Sequence, residues 1–132
     1  MNTLTFWLYH KLAWNPNENI DELIEYFCDK VYGGASEYMQ EYYRLIELGW
    51  TEGTKSLANA FNVPIKWTAN LLTYADYFLN NPDFEDNEET ANLVGKILDA
   101  LNGAWEAAND AEKERIRHIK EMTEKVIEEF CW

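Results

Sequence analysis

Long apolar runs are missing from this chain of 132 residues, and no stretch reaches the roughly 20 residues that a membrane-spanning helix needs. Histidine and cysteine are scarce, with two of each. Cys28 and Cys131 form no C-x-x-C pair, and neither His10 nor His118 neighbours a cysteine or has a second histidine one helical turn away, so no metal-ligand spacing arises. Two buried free thiols are expected rather than a disulfide. Basic residues are outnumbered: 11 Lys+Arg against 24 Asp+Glu leave a net charge of -13. A field of that sign repels phosphate backbones and anionic headgroups, which excludes nucleic acid and membrane surfaces as natural partners and favours solubility. Alternating β-branched runs and Asn-Gly or Asp-Gly hairpin turns are absent, so strands are not expected. No P-loop, dinucleotide glycine fingerprint or Gly-x-Ser-x-Gly elbow occurs. The N-terminus also lacks a basic segment followed by an apolar stretch and a small-residue cleavage site, so a signal peptide, if the protein is exported, lies outside this chain.

What is present is helical spacing and aromatic side chains. Apolar residues make up 47% of the chain, with six Trp, eight Tyr and six Phe. The length suits a single helical domain over 1–132. A first helix is predicted over 2–14, with Leu4, Trp7, Leu8 and Leu12 on its inner side, ending at Asn15-Pro16 because the residue before proline is pushed out of the α region. Asn19 caps a second, with Asp21 and Glu22 in the first turn and Ile20, Leu23, Ile24, Phe27, Cys28 and Val31 at a 3.6-residue period; Gly33-Gly34 stops it. A third is expected over 35–48, with Tyr38, Met39, Tyr42, Leu45 and Ile46 inward and Gly49 as its stop, then a turn at 51–53 and a short helix at 54–61. Another follows from Asn62-Val63-Pro64, with Trp67, Leu71, Tyr74, Ala75 and Phe78 inward, up to the break at Asn80-Asn81-Pro82. Two long helices close the chain. One spans about 87–108, with Ala91, Val94, Ile97, Leu98, Leu101 and Trp105 in register. The other is capped by Asp110 and carries Ile116, Ile119, Thr123, Val126, Ile127 and Phe130. The predicted architecture is all-α: an irregular bundle of about five to six helices ending in a long antiparallel pair.

The candidate chemistry is thin. Glu22 and Glu25 near Tyr26, and Asp83, Glu85 and Asp86 in an acidic loop, are read as solvated carboxylates rather than as an acid–base pair held across a cleft. The run from Asp83 to Glu88 lacks the central glycine and ligand spacing of a calcium loop. Arg115 stands three residues before His118, where a di-iron helix would carry glutamate, and Glu114 to His118 is a surface spacing. No cofactor or metal site is expected, and no nucleophile, base and orienting group assemble. The distinctive feature is the first helix, where Phe6, Trp7, Tyr9 and Trp14 crowd every side. An all-round apolar helix normally lies between layers, so these four are the candidate interface or glycan-facing residues.

The run Tyr9-His10-Lys11-Leu12-Ala13-Trp14-Asn15-Pro16, the helix start Asn19-Ile20-Asp21-Glu22-Leu23-Ile24, then Phe27, Tyr32-Gly33-Gly34-Ala35 and the Tyr38-Met39-x-x-Tyr42 stripe together resemble the C-terminal part of a large bacterial family, domain of unknown function 4838. The resemblance covers about residues 7–46 and departs at Ala13, where the family often carries leucine. Members of that family resemble glycoside hydrolases and usually carry a (β/α)8 barrel; a similar joint before a helical domain occurs in α-glucuronidases. The resemblance implies a role in carbohydrate metabolism, a parent protein that is secreted or periplasmic, and an active site on a barrel that these residues do not encode. No catalytic residue therefore carries over. The expectation is a non-catalytic helical accessory domain that packs on the parent barrel or forms a homo-oligomer through its aromatic first helix. A glycan-binding module using exposed Trp and Tyr, or a stand-alone helical interaction domain, are the alternatives, and a stand-alone enzyme comes last.

Overall fold

The computed structural model describes residues 3–61 and 92–130, and the described part is all-helical. Helix α1 spans Thr3–Trp14 and α2 spans Ile20–Tyr32. A single 3-10 turn, Gly33–Ala35, leads into the long α3, Ser36–Phe61. Helices α4, Leu93–Ala107, and α5, Asp110–Phe130, follow. The predicted helix at 62–79, the acidic loop at 83–88 and Cys131 lie outside the described residues.

The start of α2 forms as its sequence dictates. The Asn19 side chain accepts from the Asp21 and Glu22 amides at 2.9 and 3.3 Å, so two N–H groups that lack helical partners are satisfied. Asp21 and Glu22 then sit against the positive end of the helix dipole. The other end of α2 closes on Gly33, whose φ of 48° is a conformation that side chains rarely tolerate.

Two expectations are corrected here. Gly49 does not end the third helix, and no turn interrupts 51–53: α3 runs unbroken to Phe61. A mid-helix glycine costs only about 1 kcal/mol, which packing overrides, and Gly49 is buried within α3. The cap of α5 is Asn109, not Asp110. The Asn109 side chain accepts from the Glu112 amide at 3.0 Å, and the Glu112 carboxylate accepts from the Asn109 amide at 2.9 Å, forming a reciprocal capping box.

The core gathers around α3, which packs most extensively on α4 and next on α2. Cys28, Met39, Leu45, Leu93, Ile97, Leu101 and Ile116 are fully enclosed. The α4 face is rotated from the predicted one: Leu93, Ala100 and Ala104 are buried, whereas Val94, Leu98 and Trp105 are only half-buried. Small residues decide this rotation, because they let α3 approach the α4 backbone. At Gly103 the Tyr38 ring lies so close that an added Cβ would meet it at 2.5 Å. Tyr38 itself stays partly exposed, and Tyr43, unassigned to the predicted stripe, is buried in its stead. Within this core Tyr32 and Tyr43 share a hydrogen bond between hydroxyls at 2.8 Å, and Tyr42 pairs with the Thr123 hydroxyl at 3.1 Å.

A clamp joins α2 to the α4–α5 joint. Besides capping α5, Glu112 accepts from the Gly34 amide at 3.3 Å, and the Arg115 guanidinium donates to the Val31 carbonyl at 2.9 Å. Thus α5 satisfies backbone groups left open at the end of α2. Among the described helices α1 packs on α2 alone.

Candidate functional site

A 100° step per residue divides α1 into two sides. Leu4 is buried, and Trp7, Leu8 and Leu12 are half-buried along the side that meets α2. Phe6, Tyr9, His10 and Ala13 share the opposite side and are all exposed; Trp14, seven residues after Trp7 and on nearly the same bearing, is exposed at the end of the helix. Phe6 is 54% exposed, Tyr9 71% and Trp14 91%, so almost the whole Trp14 side chain faces solvent. The His10 ring lies 4.4 Å from that of Phe6, and its Nδ1 is 2.9 Å from the Phe6 carbonyl oxygen. Three of the four predicted residues therefore belong to the exposed surface of α1, Phe6 and Tyr9 on its outer side and Trp14 at its end.

Trp7 does not belong to it. Its ring lies nearly parallel to that of Tyr26, 15° apart with centroids separated by 6.2 Å, and packs obliquely on Phe27 at 5.3 Å. The Lys11 ammonium sits over the Trp7 ring at 5.4 Å, where the negative face of the π system attracts it. Trp7 is thus the anchor that holds α1 onto α2. The spacing of Leu4, Trp7, Leu8 and Leu12 already put Trp7 on the side that meets α2, and its place among the interface candidates is corrected accordingly.

Beside this anchor an open groove of about 470 Å³ runs along the α1–α2 joint, lined by Lys11, Asn15, Asn19, Glu22 and Tyr26 among others. Asn15 and Asn19 use their side-chain oxygens within the joint, on the amides of Asn17 and Asp21. Glu22 and Glu25 are exposed, and Glu114 pairs with Arg117 at 3.0 Å rather than with His118. Among the described residues, no three His, Cys, Asp or Glu side chains gather as metal ligands would. The one described cysteine, Cys28, is a free thiol at 0% exposure, and burial with the nearby Asp29 charge pushes it up to about 12. Such a thiol is a packing group rather than a nucleophile.

Charge sharpens the picture of the outward face. The first acidic residue of the chain is Glu18, so α1 carries none of the 24 carboxylates. Lys11 and His10 are the only ionisable side chains before it apart from the tyrosine. An aromatic, carboxylate-free helix thus belongs to a strongly acidic protein. No helix among the described residues is long and apolar enough to cross a membrane. The chain matches no protein-family model, no curated protein and no solved structure.

Proposed function

We propose that this chain is a non-catalytic helical accessory domain of a glycoside-hydrolase-like protein, and that its outward α1 face packs on another folded surface, the parent barrel or a second copy. The observation that carries the reading is the exposure of Phe6, Tyr9 and Trp14 on one short helix, Trp14 and Tyr9 being the most exposed large apolar side chains among the described residues. Ordered aromatic patches of this kind mark interaction surfaces. The link to a sugar-processing parent rests on the resemblance over residues 7–46, and the terminal antiparallel pair belongs to the same expectation.

The test separates a docking face from a core face. Serine at Phe6, Tyr9 and Trp14 together should change unfolding free energy by no more than about 0.5 kcal/mol per site, as for ordinary surface changes. It should also abolish binding of a hydrophobic dye such as anilinonaphthalene sulfonate. Collapse of the fold in that variant would show that the face is core and sink the reading.

A second reading, a glycan-binding module, is favoured by the groove. Tyr26 offers a half-exposed ring beside amide and carboxylate groups, the mixture that polyhydroxyl ligands use. Tryptophan fluorescence titrated with neutral cello-, xylo- and chito-oligosaccharides should shift through Trp7, which lies against Tyr26. Silence across that panel removes this second reading and leaves the first untouched.

A further inference from the structure

The sequence holds one Asn-Gly pair, Asn102-Gly103, and the structure places it inside α4 and not in a hairpin turn. We infer that this pair is a site of spontaneous deamidation that the folded chain protects and the unfolded chain exposes, so that the modification marks molecules that have been unfolded. The chemistry is intramolecular. The Gly103 nitrogen gives up its proton and attacks Asn102 Cγ. The bond from Cγ to the side-chain nitrogen breaks, and that nitrogen leaves as ammonia. The cyclic imide that remains takes up water at one of its two carbonyls. One product is an aspartate at position 102. The other is an isoaspartate, in which the main chain runs through the side-chain carbons. Either adds one carboxylate to a net charge of -13. Glycine favours the attack, because no Cβ shields its nitrogen and its backbone is the most permissive.

The fold opposes that attack in two ways. Within α4 the Gly103 N–H is committed to the carbonyl four residues earlier, and closing the ring requires both a freed N–H and a backbone dihedral that a helix does not offer. The Asn102 side-chain oxygen accepts from the Lys120 ammonium at 2.8 Å, which ties the amide to α5. Opening α4 at this point is not a local event. Leu101 and Ala104 flank the pair and are enclosed, and the Tyr38 ring lies against Gly103. Freeing the Asn102-Gly103 bond therefore disrupts the core between α3 and α4, and the reactive state is populated only when that core opens. The same contact explains why so labile a pair stands here: a side chain at 103 would strike Tyr38. The two products differ in what they allow. An aspartate faces Lys120 and leaves α4 intact. An isoaspartate lengthens the main chain by one carbon, which breaks the helical register and moves Gly103 and Ala104 off α3. That chain does not rebuild the core, so deamidation turns a reversible unfolding into an irreversible one.

Mass spectrometry after incubation at mildly alkaline pH, folded in buffer or unfolded in guanidinium chloride, tests this. The peptide carrying 102–103 should gain the deamidated mass at least about 100-fold faster in the unfolded chain than in the folded one. The refolding yield, read as helix content recovered on dilution, should fall in step with isoaspartate formation. Asn102→Gln, whose longer side chain disfavours the ring, should keep its refolding yield over the same time. Asn102→Asp should fold and melt with the parent chain, since position 102 is exposed. Equal rates in the folded and unfolded chain overturn the inference, because α4 then gives no protection. It is overturned as well if isoaspartyl chains refold fully, or if Asn102→Gln loses refolding as fast as the parent chain, since the loss then has another cause. An Asn102→Asp chain that does not fold overturns the distinction between the two products, the damage then coming from the charge and not from the lengthened backbone.

Discussion

Ile97 and Leu98 are adjacent in the chain and similar in chemistry, yet they occupy different environments. Ile97 is fully enclosed between α4 and α3, whereas Leu98 is half-buried at the flank. Truncating Ile97 to alanine removes its transfer free energy and leaves a cavity, at an expected cost of about 2–5 kcal/mol. Leu98→Ala should cost about 1 kcal/mol, since solvent already covers part of the side chain. Urea unfolding of the two variants checks the rotation of α4; equal losses would restore the face read from periodicity. The 3.6-residue repeat could not choose between them, because both fall within the apolar stripe. Ala100, Ala104 and Gly103 decide, by admitting α3 close to one side only. The same limit applies to the tyrosines. Their helical positions were visible in the sequence, but the pairing of Tyr42 with Thr123 spans 81 residues and exists only once α3 meets α5.

At the scale of the elements, the glycine turn after α2 does more than stop a helix. Gly33 supplies a positive φ, and a Cβ there would fall on the Glu112 carboxylate. Gly33→Val therefore meets two penalties, a strained backbone and displacement of a side chain that holds both Gly34 and Asn109. The expected loss is about 2–3 kcal/mol, read by thermal or chemical unfolding. Glu112→Ala should cost about 1–2 kcal/mol, because it removes the capping box and leaves the Gly34 amide without its acceptor. Combining the two should cost less than their sum, since both act through the same carboxylate. Additive losses would show that Gly33 acts only through its own backbone. The Asn109-x-x-Glu112 signature was present in the sequence, next to an equally acceptable Asp110; only the observed hydrogen bonds select between the two caps. The extent of α3 was hidden in the opposite way, because Gly49 carries a true stop signal that burial overrides.

For the whole molecule, a set of buried protic groups links the core to pH. Burial raises Cys28 from its ordinary 9.0 to about 12, and it raises the phenols of Tyr32, Tyr42 and Tyr43 above 10.0 as well. In each case the folded state holds its proton more tightly than the unfolded chain does. Stability is then fully present below the unfolded values and is lost as pH rises toward the folded ones. Unfolding free energy should stay level near neutrality and fall steeply between about pH 9 and 12, measured by denaturant titration with helix content as the readout. Replacing Cys28 by serine or alanine should remove part of that alkaline slope; a curve that stays level to pH 12 would mean these groups are solvated. The 24 carboxylates outweigh 11 basic residues to give the net charge of -13, and none of them falls on α1.

The sequence by itself determined the helical class, the Asn19 start of α2, the glycine turn that follows it and the aromatic, carboxylate-free character of α1. These are local matters, settled by caps, dihedral preferences and residue period. Tertiary structure alone decided what α1 packs on, putting Trp7 against Tyr26 and leaving Phe6, Tyr9 and Trp14 exposed. It also carried α3 through Gly49 and turned α4 so that its small residues meet α3. The reason is common to all three. A helix with several apolar sides has no preferred direction of its own, and its burial is fixed by the neighbour that removes most surface from water.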